Sequence, residues 1–320
     1  MAVVDLARGM PPVSPPPARP EARRRNRRRR RREVIFRVVG AAATLIGLLA
    51  LAALLFDLAA SGLSRLSWDF FFNFPSRRAT QAGILSAWVG SLLVILVTAL
   101  IGVSFGVAAG IYLEEYAPKN VLTNVIEINV ANLAGVPSII YGLLALGLFV
   151  YGLGTGRSIF TAGLTLALLI LPIIIVATRE AIRAVPQALR EAALALGATR
   201  WQTTRDHVLP AAMPGVLTGI IIGVSRALGE TAPLITIGAL TFIAFLPTPP
   251  LTTEPPFLSF QWLWDAFTVL PIQAFNWISR PGDDFHANAA AAGLVLVVLT
   301  LSLNAVAIFL RYRLRQRFKW

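Results

Sequence analysis

Ile159-Phe-Thr-Ala-Gly-Leu-Thr-Leu-Ala-Leu-Leu-Ile-Leu-Pro-Ile-Ile-Ile-Val-Ala-Thr178 runs twenty residues without a charge. A helix of that length rises about 30 Å, the thickness of a bilayer's hydrocarbon core. Five further apolar stretches can be drawn around it, at 34–57, 83–112, 128–152, 213–246 and 287–310. The fifth crossing in chain order, 213–246, is overlong and holds Pro233, so a tilt, a kink or a partial span is expected there. The 320 residues are 56% hydrophobic and 14% charged, with a mean hydropathy of +0.69. A soluble globular chain carries about 25% charged residues, so a soluble enzyme is excluded, and so is a disordered chain. The fold class read here is all-α, a polytopic membrane protein of about six transmembrane helices.

Other chemistries fall away by residue count. There is no Cys, and His207 and His286 lie far apart outside any metal-ligand spacing, so neither a metal nor another cofactor is expected. The only lysines, Lys119 and Lys319, are followed by Asn120 and Trp320, so no phosphate-cradling G-x-x-x-x-G-K-[ST] loop can be written. No enzymatic activity is expected of this chain.

Charge gives an orientation. Residues 1–33 hold eleven Arg against Asp5, Glu21 and Glu33, after a stretch rich in Pro, and read as a disordered tail. Arg ahead of a first span holds that end in the cytoplasm and adheres to anionic lipid, so nucleic acid is not expected as a partner. With both termini inside, 23 of the 29 Lys and Arg lie at the inner face, at 1–33 with Arg37, 113–127, 179–212 and 311–320. The domain reading is a tail over 1–33, a first helix and outer loop over 34–82, a transmembrane domain over 83–310, and a basic inner tail over 311–320.

Two glycine ladders, Gly102, Gly106 and Gly110, and Gly215, Gly219 and Gly223 continued by Ala227, place small residues on one helix face. That pattern predicts close helix packing. The inner excursion 179–212 reads as two short helices. Pro186 opens the first and Gly197 closes it, while Thr199 is an N-cap for a second through Trp201 and Arg205. The first carries Ala188, Ala192, Ala193 and Ala195 with Arg190 and Glu191, a composition suited to insertion into another protein's groove.

Glu191-Ala192-Ala193, then Gly197, then Leu209-Pro210 resembles the E-A-A loop of ABC-importer membrane subunits, with His207 where that pattern has Ile. The resemblance implies a MetI-like fold in which loop 179–210 is a coupling helix. Arg190, Glu191, Ala192, Ala193, Gly197, Leu209 and Pro210 would then dock an ATP-hydrolysing subunit. A narrower resemblance rests on Gly135-Val-Pro-Ser-Ile-Ile-Tyr-Gly142, Ser225-Arg-Ala-Leu-Gly-Glu-Thr-Ala-Pro233 and Asn276-Trp-Ile-Ser-Arg-Pro281. These are similar to the PstA class of phosphate-importer permeases. That likeness implies a PstC-like second permease beside the chain in the lipid bilayer, a PstB-like ATP-binding dimer below, a PstS-like phosphate-binding protein above, and phosphate as cargo. Other oxyanions or a small solute, the PstC-type role, and an ion-coupled carrier stay open as alternatives.

Arg226 lies twelve residues past Pro214, about 18 Å along a helix and near the bilayer centre. A cation there costs about 2.5–3.5 kcal/mol unless it faces protein or water. Glu230, four residues on, can offset it. Arg226 and Glu230 are therefore either a structural pair or the lining of a translocation path, the cation attracting an anion and the carboxylate keeping its affinity weak. The outer segment 247–286, with Trp262, Trp264, Phe267, Phe275 and Trp277, reads as an interfacial helix or a contact for an external binding protein. Asp283, Asp284 and His286 read as a solvated helix entrance.

Overall fold

The computed structural model describes residues 20–251 and 257–317. The structure divides into two units, 1–57 and 58–320. The first holds most of helix α1 (Pro20–Gly62), whose apolar side chains from Val34 to Phe56 are largely exposed, as a lipid-facing helix requires. The Arg-rich stretch 20–33, expected to be disordered, is helical. Arg has good helix propensity and Pro20 stands at the first helical position, where its missing N–H costs nothing. The rest of the expected tail, 1–19, lies outside the described residues.

In the second unit, α2 (Trp68–Phe72) precedes α3 (Leu85–Ile111), which widens into a π-helical turn over Tyr112–Tyr116. Then follow α4 (Val121–Leu133) and α5 (Ser138–Ala145), the latter running on as a π-helix through Leu146–Gly152. Next come α6 (Ile159–Arg183) and α7 (Gln187–Ala195). The single turn α8 (Arg200–Gln202) passes through π-helical Thr203–Val208 into α9 (Leu209–Gly229). The chain closes with α10 (Ala232–Thr236), α11 (Leu270–Ile278) and α12 (Asp283–Arg317).

Helix α6 is the axis, and glycines bring two helices onto neighbouring faces of it. A Cβ on Gly102 would fall 2.9 Å from Ile170, one on Gly106 2.8 Å from Ile174, and one on Gly110 2.7 Å from Thr178. The two numbers rise together, so α3 and α6 are parallel. On the neighbouring face a Cβ on Gly215 would fall 2.6 Å from Ala181, one on Gly219 would meet Ala177, and one on Gly223 would fall 3.1 Å from Ile174, so α9 is antiparallel. Without a hydrophobic drive between helices in lipid, such close van der Waals approach is what holds a bundle together. The ladders expected for packing do pack.

The parallel pair fixes the number of crossings. Because α3 and α6 run the same way, residues 117–158 must return the chain across the bilayer. They do so as a broken span, Val121–Leu133 and Ser138–Gly152, bent by 106°. With α1, α3, α6, the Arg200–Gly229 helix and α12, the described residues hold six helical stretches long and apolar enough to cross a membrane, the bent pair counted as one. The third was drawn from 128, but Asn120 caps a helix at Val121 by accepting the Thr123 N–H, and Gly135 and Pro137 occupy the bend.

Three further expectations are corrected. Helix α9 ends at Gly229, so the fifth span does not reach 246. Glu230 turns extended and Pro233 restarts only the short α10, while most of 237–246 is irregular. The second helix expected in loop 179–212 is not separate but the foot of the fifth span. Its predicted N-cap is correct, with Thr199 and Gln202 forming a reciprocal capping box. The aromatic stretch at 262–277 does not lie flat on a surface, since Trp262, Phe267 and Trp277 are buried while Trp264 and Phe275 are exposed. Trp277 packs against Phe70, with ring centroids 5.9 Å apart, and caps one end of the bundle with Ile84, Ala87 and Leu270.

Candidate functional site

At the other end of the bundle, α7 projects beyond the spans. Pro186 opens it, and Gly197 closes it at φ +87, a left-handed position that suits glycine. Ala193 is buried, while Glu191, Ala192, Leu194 and Ala195 are exposed, and Leu196 is 90% exposed. Leu189 anchors the inner side of the helix against Ile182, Val185 and Val208. Trp201 is exposed beside this face. Leu209 and Pro210 are partly buried at the foot of the span, away from the outermost surface.

The structure turns Arg190 inward, unlike the other charge of this helix. Its guanidinium donates to Glu115 Oε1 from Nε at 3.0 Å and from Nη2 at 2.7 Å. It also donates to the carbonyls of Val185 at 2.7 Å and Ile182 at 2.9 Å. Neighbouring pairs extend this into a network. Arg183 forks onto Glu114 at 2.9 and 3.0 Å, and Arg179 reaches Glu127 at 2.7 Å and Glu114 at 3.4 Å. The ends of α3, α4, α6 and α7 are thus joined by three carboxylates and three guanidinium groups. A cleft of about 540 Å³ opens beside α7, lined by Lys119, Arg200 and Thr203 together with Glu115, Arg183 and Arg190.

Charge flanking an apolar run reads only as an inner boundary, so sequence reasoning passed over Glu114, Glu115, Glu127, Arg179 and Arg183. The available signal was an acidic pair ending one span opposite two arginines, four apart, ending another.

In the membrane, Arg226 and Glu230 are brought together as expected, with Nε 3.2 Å from Oε1. The Arg226 side chain is 36% exposed and that of Glu230 20%. Their depth follows from Gly223, which lies against Ile170 and Ile174 midway along α6. Arg226 occupies the last turn of α9, where a cation opposes the helix dipole, and the helix breaks just before its carboxylate partner. The residue just before Arg226, Ser225, bonds Asn304 of α12. The motif stretches quoted above also meet, since Gly142 of α5 packs on Pro233 and Thr236 of α10. Among the described residues, no group of His, Cys, Asp and Glu is arranged to hold a metal ion.

Long apolar helices, a glycine-packed bundle on α6, a helical elbow at one end of it and a charged pair at mid-depth define a polytopic membrane component. Residues 102–320 match the family described as "Binding-protein-dependent transport system inner membrane component", and the chain belongs to that family. It is 38% identical over 191 residues to "Probable ABC transporter permease protein YqgI" of Bacillus subtilis, covering 60% of this chain and 63% of that one. It is 39% identical over 155 residues to "Phosphate transport system permease protein PstA 1" of Mycobacterium tuberculosis (strain CDC 1551 / Oshkosh), covering 48% and 51%. These matches span about half to two thirds of those relatives' length. The Haemophilus influenzae PstA is 35% identical over 229 residues, covering 70% and 79%. Among solved structures, a chain of the MetNI methionine ABC transporter superposes with a TM-score of 0.55 at 19% identity, covering 70% of this chain and 93% of that one. A chain of a bacterial alginate ABC transporter gives 0.60 at 15% identity, covering 87% and 93%. The MetI-like all-α fold is therefore shown.

Proposed function

We propose that the chain is a membrane permease subunit of an ATP-driven phosphate importer, forming half of the path with a PstC-like second permease. The observation that carries this reading is the exposed face of α7, where Ala192, Ala195 and Leu196 stand clear of the bundle beside the exposed Arg183 and Arg200. A passive carrier has no use for such an elbow, whereas a permease driven by another chain needs one. ATP hydrolysis then belongs to a PstB-like dimer docked there, and a PstS-like protein delivers phosphate at the opposite end. The positive-inside bias supports placing both termini and the elbow in the cytoplasm. On this reading the transporter domain is 83–310, with the first helix and the two basic tails as additions.

Arg226 and Glu230 are the residues assigned to the path. Among the described residues Arg226 makes one side-chain bond, to Glu230, which leaves the rest of its fork to meet an oxyanion. Glu230 competes with that anion, which favours release over capture. The phosphate relatives direct the choice of cargo, since the Arg226–Glu230 pair by itself suits any small oxyanion. Phosphate-limited cells lacking this chain should lose uptake of labelled phosphate, and the wild-type gene should restore it while Arg226→Gln should not. Undiminished uptake in the deletion strain would refute the assignment.

A further inference from the structure

We infer that Arg190 and Glu115 form a strut through which the coupling helix moves α3, so that Arg190 positions the helix and does not itself grip the ATP-binding subunit. This inference rests on the permease reading above. Four hydrogen bonds commit the guanidinium, two to Glu115 and two to the carbonyls that end α6, and its side chain is only 15% exposed. Four of its five N–H donors are used inside the fold, which leaves one Nη1 hydrogen for a partner's surface. Glu115 is 13% exposed and comes from the π-helical end of α3, 75 residues away in sequence, so the pair ties two otherwise independent elements.

The bonding pattern gives the strut direction. By capping the Ile182 and Val185 carbonyls, Arg190 holds α7 at the end of α6 and neutralises the negative end of that helix dipole. By binding Glu115 it holds the same α7 to the end of α3. Glycine contacts then pack α3 along α6 from Gly110 to Gly102, so a push at the strut is carried toward mid-membrane by closely packed backbone. At that depth Gly223, three residues before Arg226, packs on the same Ile170 and Ile174 that Gly102 and Gly106 meet. A partly buried ion pair suits this task, because losing either member leaves a charge unpartnered instead of letting the joint relax.

The test uses the complete complex, with both permeases, the ATP-binding dimer and the binding protein, in proteoliposomes. Phosphate uptake and ATP hydrolysis are measured on the same preparation. Arg190→Gln and Glu115→Gln should each lower phosphate moved per ATP about tenfold, with hydrolysis held within about twofold of wild type. The double variant should be no worse than the poorer single, as expected for two residues acting as one unit. Arg190→Lys, which keeps the charge but loses the fork, should fall between. An unchanged ratio in Arg190→Gln, or uptake and hydrolysis lost in parallel through failed docking, would overturn the strut. A wild-type complex that moves no phosphate would overturn the permease reading instead. The strut is then decided by spin labels at Y112C and A188C in a chain that has no native Cys. One narrow distance is expected, unchanged by nucleotide, and should broaden in Arg190→Gln. An equally narrow distance in both would contradict it.

Discussion

Gly142 lies in contact with Thr236, and a Cβ at 142 would also come within 2.6 Å of the Pro233 Cα. Two motif stretches ninety residues apart therefore meet at the break in the fifth span, and α10 is held in place by the glycine's lack of a side chain. The bent third span and the broken fifth support each other next to the Arg226–Glu230 pair.

Adding a methyl group there should be costly. Gly142→Ala is expected to destabilise the folded protein by about 1–3 kcal/mol, the range for overpacking a filled site. Gly147, which has open space where a Cβ would stand, is the control, and Gly147→Ala should leave the melting temperature unchanged or slightly raised. Thermal unfolding of both variants in detergent checks the difference.

The exposed face of α7 should behave as a contact hot spot. Leu196→Glu places a charge on an apolar side chain that is 90% exposed and makes little internal contact, so folding should be untouched. Co-purification with the ATP-binding subunit should fall by a factor of about 30, matching a contact worth roughly 2 kcal/mol. Retained co-purification would move the docking surface elsewhere.

The Arg226–Glu230 pair separates a path role from a structural one. Arg226→Gln should abolish phosphate uptake while the complex still assembles. Glu230→Gln should instead raise phosphate affinity and slow its release, because the competing carboxylate is gone. If both variants merely fail to assemble, the pair holds the helix break together and does nothing for the cargo. Uptake by vesicles and gel filtration of the same preparations distinguish the two.

Removing residues 1–33 should leave transport intact in every molecule that inserts correctly. In the orientation proposed above their charge acts on insertion and lipid contact, and other cations of the same proposed face, among them Arg183 and Arg200, remain. Uptake normalised to inserted protein checks this.

Sequence reveals the spans because apolar runs of bilayer length have few other uses, and the four-residue glycine spacing reveals which faces pack. It does not reveal which apolar residues are helical. Hydropathy continues past Gly229 to Phe245 although the helix stops, since an apolar segment scores the same whether it is helical or irregular. The same blindness put Trp262 and Trp277 at a membrane surface, where aromatic content alone would place them, instead of inside the bundle cap. The bend at 134–137 was written in Gly135 and Pro137, but apolar residues on both sides hid it. Arg190 shows the limit most clearly. Its position in a docking helix suggested a docking role, and only the fold brings Glu115 within 2.7 Å of it.

The central claim is that this chain is half of a path for phosphate opened by ATP used elsewhere. The most direct test loads labelled phosphate outside proteoliposomes that contain the full complex and enclose ATP. Accumulation that requires both ATP and this chain, and that excess sulfate does not suppress, is the predicted result. Accumulation that persists without the chain, or that sulfate abolishes, would contradict it.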